Sequence, residues 1–144
     1  MPVVTVTLGP AIPDTTTASF GNVPATVIQV GTRVPSDQYW CTSPSQEYVL
    51  IMQDDGNLVH YRVIGNPPDF APGVTFNGEA TWATGTAARN SVLDVQSDGN
   101  LVIYDSNGKP IWKTNTSGTP AGLYVQDDGN VVLYKLEPSW WSMS

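Results

Sequence analysis

Three short segments carry the same polar chemistry. They are QDDGNLVHY from Gln53 to Tyr61, QSDGNLVIY from Gln96 to Tyr104, and QDDGNVVLY from Gln126 to Tyr134. Each sets an amide, a carboxylate, a second amide, a valine and a phenol at alternate positions. The first set is Gln53, Asp55, Asn57, Val59 and Tyr61; the second is Gln96, Asp98, Asn100, Val102 and Tyr104; the third is Gln126, Asp128, Asn130, Val132 and Tyr134. Hexose hydroxyls both donate and accept hydrogen bonds, and Gln, Asp, Asn and Tyr together supply both partners. The carboxylate makes the stronger, charge-assisted bond. A valine can lie against the ring C–H groups, and an axial hydroxyl held by Asp and Asn would separate epimers.

These residues must be held by a hairpin, because in each copy an Asp-Gly pair sits between two apolar runs. A three-residue loop, Asp54–Asp55–Gly56, with Gly56 left-handed, pairs Gln53 with Asn57. Gln53, Asn57, Val59 and Tyr61 then share a face, and Leu58 and His60 point the other way. A two-residue turn puts Gln53 and Asn57 on opposite faces and fits the pattern less well. The same reasoning applies at Gly99 and Gly129. Turn chemistry alone would explain Asp55, Gly56 and Asn57, but it gives no role to the Gln that opens and the Tyr that closes every copy.

Each copy follows an apolar stretch (YVLIM, VLDV, LYV) and precedes a tryptophan: Trp82, Trp112, and Trp140 or Trp141. The chain therefore reads as three similar β units, each too small to be stable alone, that bury a common interior with Leu58, Leu101 and Val131 facing it. The gap between the first and second copies is longer than that between the second and third. The excess lies in RVIGNPPDFAPGVTFNGEA, read as an inserted loop from its Pro-Pro pair and Gly65, Gly73 and Gly78. Residues 1–25 belong to no copy and read as an N-terminal arm or extra edge strand; residues 26–144 form the repeated domain.

Composition agrees with short strands and many turns. Of the 144 residues 13% are charged, and the aromatics include five Trp and six Tyr. A net charge of −7 argues against nucleic acid and anionic membrane surfaces as partners. No apolar run is long enough to span a bilayer, so no membrane insertion is expected. The opening MPVVTVTLGP lacks a basic flank and apolar core. The chain thus reads as cytoplasmic, released without a leader, or secreted with its leader removed. The lone Cys41 excludes an intramolecular disulfide and is expected to be buried.

No cofactor or metal site is expected. His60 has no second His or Cys nearby for a transition metal, and the Asp pairs lack the regular oxygen ligands of a calcium loop. No nucleophile motif appears. Three equivalent copies argue against a single glycosidase centre, so the chain is not expected to be an enzyme.

The pattern Q-x-D-x-N-x-V-x-Y, three times in one chain, resembles the bulb-type (monocot, snowdrop-like) mannose-binding lectins. Resemblance covers roughly Thr26 to Ser144 and includes VIQVGTRVPSDQYWCTSPSQEYV, similar to the family's leading strands. It implies an all-β, β-prism II fold: three antiparallel four-stranded sheets with pseudo-threefold symmetry. It also implies calcium-independent binding of α-D-mannose. By the family's pattern Asp and Asn bind O2, Gln binds O3, Tyr binds O4 and Val contacts the ring. Plant members usually carry a disulfide-forming Cys where this chain has Gly56, so the resemblance points to members outside the plants. The insert and the arm are also unusual, and either could cover a site. Members often dimerise by exchanging the C-terminal strand, for which LEPSWWSMS, with Trp140 and Trp141, is the candidate; otherwise these tryptophans complete the chain's own core.

The expected function is recognition or defence through mannose and mannose-rich glycans or glycoproteins. The alternatives are an antibacterial toxin of the same fold, known examples of which resemble two fused domains, and an interaction module with vestigial sugar sites. Decay would be expected to damage at least one copy, yet all three are complete.

Overall fold

The computed structural model describes residues 2–136, which form an all-β structure. In chain order the strands are β1 (Val3–Thr7), β2 (Thr15–Phe20), β3 (Val23–Ile28), β4 (Arg33–Pro35), β5 (Tyr39–Thr42), β6 (Tyr48–Met52), β7 (Leu58–Val63), β8 (Thr75–Ala83), β9 (Val92–Val95), β10 (Leu101–Tyr104), β11 (Pro110–Lys113), β12 (Pro120–Gln126) and β13 (Val131–Lys135). They make three antiparallel sheets with strand orders β1-β8-β7-β6-β5, β11-β10-β9-β4 and β13-β12-β3-β2. Each repeated hairpin, β6–β7, β9–β10 or β12–β13, belongs to its own sheet.

The first sheet has five strands rather than the expected four. β1 pairs with β8 from Val3 opposite Glu79 to Thr7 opposite Thr75. The alternating VVTVT run can do this because β8 is nine residues long and extends past β7. Part of the insert thus becomes strand: TFNGEATWA alternates buried Phe76 and Gly78 with exposed neighbours, while residues 64–74 remain loop. The boundary expected at residue 25 falls inside β3, and β2 is the hairpin partner of β3 in the third sheet.

Strand alternation sorts the apolar residues into two cores. Leu58, Leu93, Leu101, Ile103, Leu123 and Val125 point inward and pack with Ile28, Val34, Leu50 and Met52 between the three sheets. Val131 and Trp112 lie against this cluster half-buried, as the repeat pattern anticipates. Cys41 is buried in it, and burial pushes its thiol up to about 12. A second core lies on the other face of the first sheet alone. There Val49, Ile51, Val59, Tyr61 and Val63 are covered by Val6 and Leu8 of the arm and by Phe70, Val74 and Phe76 of the insert.

The arm then crosses to the opposite edge of that sheet. Leu8 N–H donates to Val74 O (2.9 Å), Gly9 N–H to Gln38 O (2.9 Å) and Ile12 N–H to Trp40 O (2.8 Å). Ala11 forms a parallel bridge with Trp40, whose indole N–H donates to Gly9 O at 2.8 Å. The outer face of the first sheet is therefore roofed. No such second layer covers the other two sheets among the described residues.

Candidate sugar-binding site

All three hairpins adopt the three-residue loop. In the first, Gln53 N–H donates to Asn57 O at 3.0 Å and Gly56 N–H returns to Gln53 O at 2.9 Å. The same pair of bonds recurs between Gln96, Gly99 and Asn100, and between Gln126, Gly129 and Asn130. Gly56, Gly99 and Gly129 have φ of +86°, +90° and +89°, the left-handed region open to glycine. Position 56 also lacks room for a side chain, since a Cβ would sit 2.1 Å from Ala88 O. That is the physical reason a cysteine-bearing loop is incompatible with this chain.

The loop aims the carboxylate back at its own strand. Asp55 Oδ1 accepts from Asn57 N–H at 2.9 Å, Asp98 from Asn100 N–H at 2.9 Å, and Asp128 from Asn130 N–H at 3.1 Å. The opening glutamine joins the carboxylate to the phenol. Gln53 Nε2 donates to both Asp55 oxygens at 3.3 Å, and Tyr61 Oη donates to Gln53 Oε1. In the third site Gln126 Nε2 reaches Asp128 at 3.0 and 3.2 Å, and Tyr134 Oη donates to Gln126 Oε1 at 2.6 Å. In the second, Gln96 Nε2 donates to Tyr104 Oη. The structure thus brings Gln, Asp, Asn and Tyr of each set together, with the valine between them on the strand.

Two residues outside the repeated nonapeptide complete the arrangement. Thr84 Oγ1 donates to Asn57 Oδ1 at 3.1 Å, and Gly85 N–H donates to the same oxygen at 2.9 Å. Thr114 Oγ1 and Asn115 N–H repeat this on Asn100 Oδ1, each at 3.0 Å. With both carbonyl lone pairs taken, the Asn Nδ2 group is left as the donor facing out. A second threonine stands beside the first. Thr86 Oγ1 lies 2.8 Å from Thr84 Oγ1 and donates to Gly56 O; Thr116 lies 2.7 Å from Thr114 and donates to Gly99 O. The sequence carries this signal as WATGT and WKTNT, each opening on the tryptophan. The third copy's counterpart, in PSWWS, lies outside the described residues, and there Asn130 Nδ2 donates to Asp128 Oδ2 at 3.2 Å.

The three sites differ in their surroundings. Tyr61 is buried beneath the roof of the first sheet, whereas Tyr104 and Tyr134 are partly exposed. Burial, with the nearby Asp55 carboxylate, raises the Tyr61 phenol above its ordinary value. In the third site the exposed Phe20 lies flat on Tyr134, ring centroids 3.9 Å apart and planes at 14°, while Tyr124 meets Tyr134 edge-on at 4.8 Å. Asp128 is held below the usual carboxylate range, chiefly by the Gln126 amide and further by the Asn130 bonds.

His60 faces away from the site, as its place in the alternation requires. It is buried, with Tyr48 stacked against it at 5.5 Å. Thr81, the extra residue in a bulge opposite His60 and Tyr61, donates to His60 O at 3.2 Å and contacts Nδ1. Burial lowers the ring to about 4. Nε2 finds no partner among the described residues. His60 borders a cavity of about 380 Å³ lined from all three sheets, including Trp82, Trp112 and Leu133.

The arrangement offers a carboxylate acceptor and a phenol within one strand pair three times, and a pinned amide donor in the first two copies. Among the described residues it contains no nucleophile aligned with a base.

No family model matches the chain. A mannose-specific lectin from Dendrobium findlayanum is 44% identical over 62 residues, which span 42% of this chain and 29% of that protein. The chain thus covers less than a third of the length of that curated relative. The mannose-specific agglutinin of snowdrop (Galanthus nivalis), solved with methyl-α-D-mannoside, is 32% identical with a TM-score of 0.60, covering 82% of this chain and 96% of that one. A monomeric monocot mannose-binding lectin from Gastrodia elata is 32% identical with a TM-score of 0.54, covering 74% and 84%. Likeness of this extent places the three-sheet fold as a β-prism II, and the chain belongs to the bulb-type mannose-binding lectins, a family of carbohydrate-binding proteins that are not enzymes.

Proposed function

We propose that the chain binds α-D-mannose and mannose-containing glycans, without calcium, through Gln53–Tyr61, Gln96–Tyr104 and Gln126–Tyr134, and serves in recognition or defence. The observation that supports this most is the pinned asparagine. Thr84 and Thr114 fix the amide so that a donor sits beside the Asp acceptor, the pairing that holds an axial hydroxyl. In this reading Asp and Asn take O2, Gln takes O3, Tyr takes O4 and the valine meets the ring; at the first hairpin the arm and insert that cover Val59 and Tyr61 must be displaced before a ring can sit there. One shallow site is weak, on the order of millimolar. Three on one domain gain avidity on a branched or surface-bound glycan.

Calorimetry with methyl α-D-mannoside, in the presence of a chelator, tests the reading. Binding is expected to persist, to be lost in the triple variant Asn57→Ala, Asn100→Ala, Asn130→Ala, and to leave that variant's far-UV circular dichroism unchanged. Unaltered binding by the triple variant would reject the site assignment.

A homodimer formed by exchange of the C-terminal strand is a second proposal. The segment concerned, 137–144 with Trp140 and Trp141, lies outside the described residues. What supports it is the apolar cavity lined by Trp82, Trp112 and Leu133, the last of these on β13 itself. Light scattering should give twice the chain mass, and the monomer mass on removal of residues 137–144; a full-length monomer rejects it.

A further inference from the structure

Over the first sheet the arm and the insert form one piece. Both backbone groups of Leu8 bond the insert: Leu8 N–H donates to Val74 O at 2.9 Å, and Gly73 N–H donates to Leu8 O at 2.8 Å. Phe70 packs on Phe76 with ring centroids 6.0 Å apart, and Val6 stands opposite Phe76 in the β1–β8 ladder. Phe76 in turn meets the Tyr61 ring edge-on at 5.9 Å. The fit is close because position 78 is glycine: a Cβ there would sit 2.7 Å from the Phe76 ring and 3.1 Å from that of Tyr61. Tyr61 is left 6% exposed, whereas Tyr104 and Tyr134 remain partly open to solvent.

This cover can lift without breaking the sheet beneath it. β1 is an edge strand, paired with β8 alone. Among the described residues no hydrogen bond joins β1 or residues 64–74 to β6 or β7, so roof and sheet meet through apolar side chains. A polar tie stands at one corner, where Gln38 Nε2 donates to Thr7 O at 2.7 Å and Gln38 Oε1 accepts from Asp54 N–H at 2.9 Å. Behind β1 the chain is anchored separately: Ile12 is buried in the main core, and its N–H donates to Trp40 O. β1 and Leu8 can therefore peel from β8 about Gly9 without drawing out Ile12 or opening a repeated hairpin.

We propose that β1 is a lid on the first sugar site, closed at rest, whose release admits the hexose. This rests on the lectin reading above and deepens it. The resting chain offers two ready sites, at Asn100 and Asn130, and a third whose affinity is reduced by the fraction of molecules in which the lid is off. A ring seated on Val59 and Tyr61 needs the space that Val6 and Phe76 fill, so ring and lid exclude each other. Once β1 leaves, Phe76 loses the residue opposite it and the insert loses both its bonds to Leu8, so the rest of the cover loosens too. Among the described residues no strand corresponding to β1 extends the second or third sheet.

The test is amide-resolved NMR titration of the whole chain with methyl α-D-mannoside. The Asn100 and Asn130 signals are expected to shift first, and Asn57 only at sugar concentrations higher by about tenfold or more. Gln38→Ala removes the corner tie and should bring the Asn57 response to several-fold lower sugar, with the other two unchanged. Thr5→Cys with Asn77→Cys, at directly opposite positions whose side chains already meet at 3.0 Å, allows a cross-link between β1 and β8. Oxidised, this variant should lose the Asn57 response and keep the other two; a reductant should restore it. An Asn57 that titrates with the other two, cross-linked or not, overturns the lid alone, and so does an Asn57 that stays silent in every variant while they respond. No response at any of the three overturns the lectin reading, and the lid with it.

Discussion

The Thr84 hydroxyl donates to Asn57 Oδ1 from 27 positions further along the chain, beyond the whole insert, and in doing so sets which end of the Asn57 amide faces solvent. Thr114 does the same for Asn100 over a tight hairpin connection. Beside each, a second threonine, Thr86 or Thr116, donates to the loop glycine's carbonyl. The amide orientation is thus fixed from outside the motif that carries the amide.

Thr84→Val keeps the shape and removes the hydroxyl. The Asn57 amide then loses one of its two pins, at a cost of about 1 kcal/mol, and monosaccharide binding at the first site should weaken by several-fold. Thr84→Ser should bind as the parent does. NMR titration separates the first site from the others, and equal weakening at all three would show that the effect is not local.

Gly56→Ala should cost far more than Gly129→Ala. Both place a side chain at a left-handed φ, but the new Cβ meets the Ala88 backbone carbonyl at 2.1 Å in one case and the Tyr48 ring at 3.1 Å in the other. The expected losses are about 3 kcal/mol or more and about 1–2 kcal/mol. Urea unfolding measures both, and reversed order would refute the comparison.

His60 makes stability sensitive to acid. Burial lowers the folded ring to about 4, from an ordinary value of 6.5. The unfolded chain therefore takes up a proton first as the pH falls below 6.5, and stability declines until about pH 4, by about 3 kcal/mol in full. Above pH 6.5 the group has no effect. His60→Gln should flatten this part of the stability–pH curve. If parent and variant lose stability in parallel between pH 6.5 and 4, the assignment is wrong.

Phe20→Ala should act on the third site only. The Phe20 ring holds one face of Tyr134 while Tyr124 holds its edge. Such a pair is worth about 0.5–1.5 kcal/mol. Without it the Tyr134 phenol leaves its bond to Gln126 more readily, and third-site affinity should fall by roughly two- to tenfold. Unchanged Tyr134 ring resonances in the variant would show that the stack contributes nothing.

Much of this molecule can be read directly from local sequence. The hairpin geometry, the left-handed glycines and the inward turn of Leu58 and His60 all depend on residues within a few positions of one another. The threonine pins are legible too, as the T-x-T that follows Trp82 and Trp112, but nothing near them says that they reach Asn57 and Asn100. The roof over the first sheet is not legible. It is held by contacts such as Val6 opposite Phe76 and Leu8 with Val74, between segments far apart in the chain that have no counterpart in the other repeats. The fifth strand follows from the same cause, since β1 has an edge to join only because the insert lengthens β8.

The third sheet joins early and late segments of the polypeptide: β3 pairs with β12, Ala25 opposite Gln126, while β5 to β8 of the first sheet run consecutively. During synthesis the first binding face can be assembled from residues already made, but the last must wait until β12 and β13 have been translated. A nascent or prematurely terminated product would display a lectin of lower valency, with the edge of β3 that receives β12 unpaired and exposed to adventitious association.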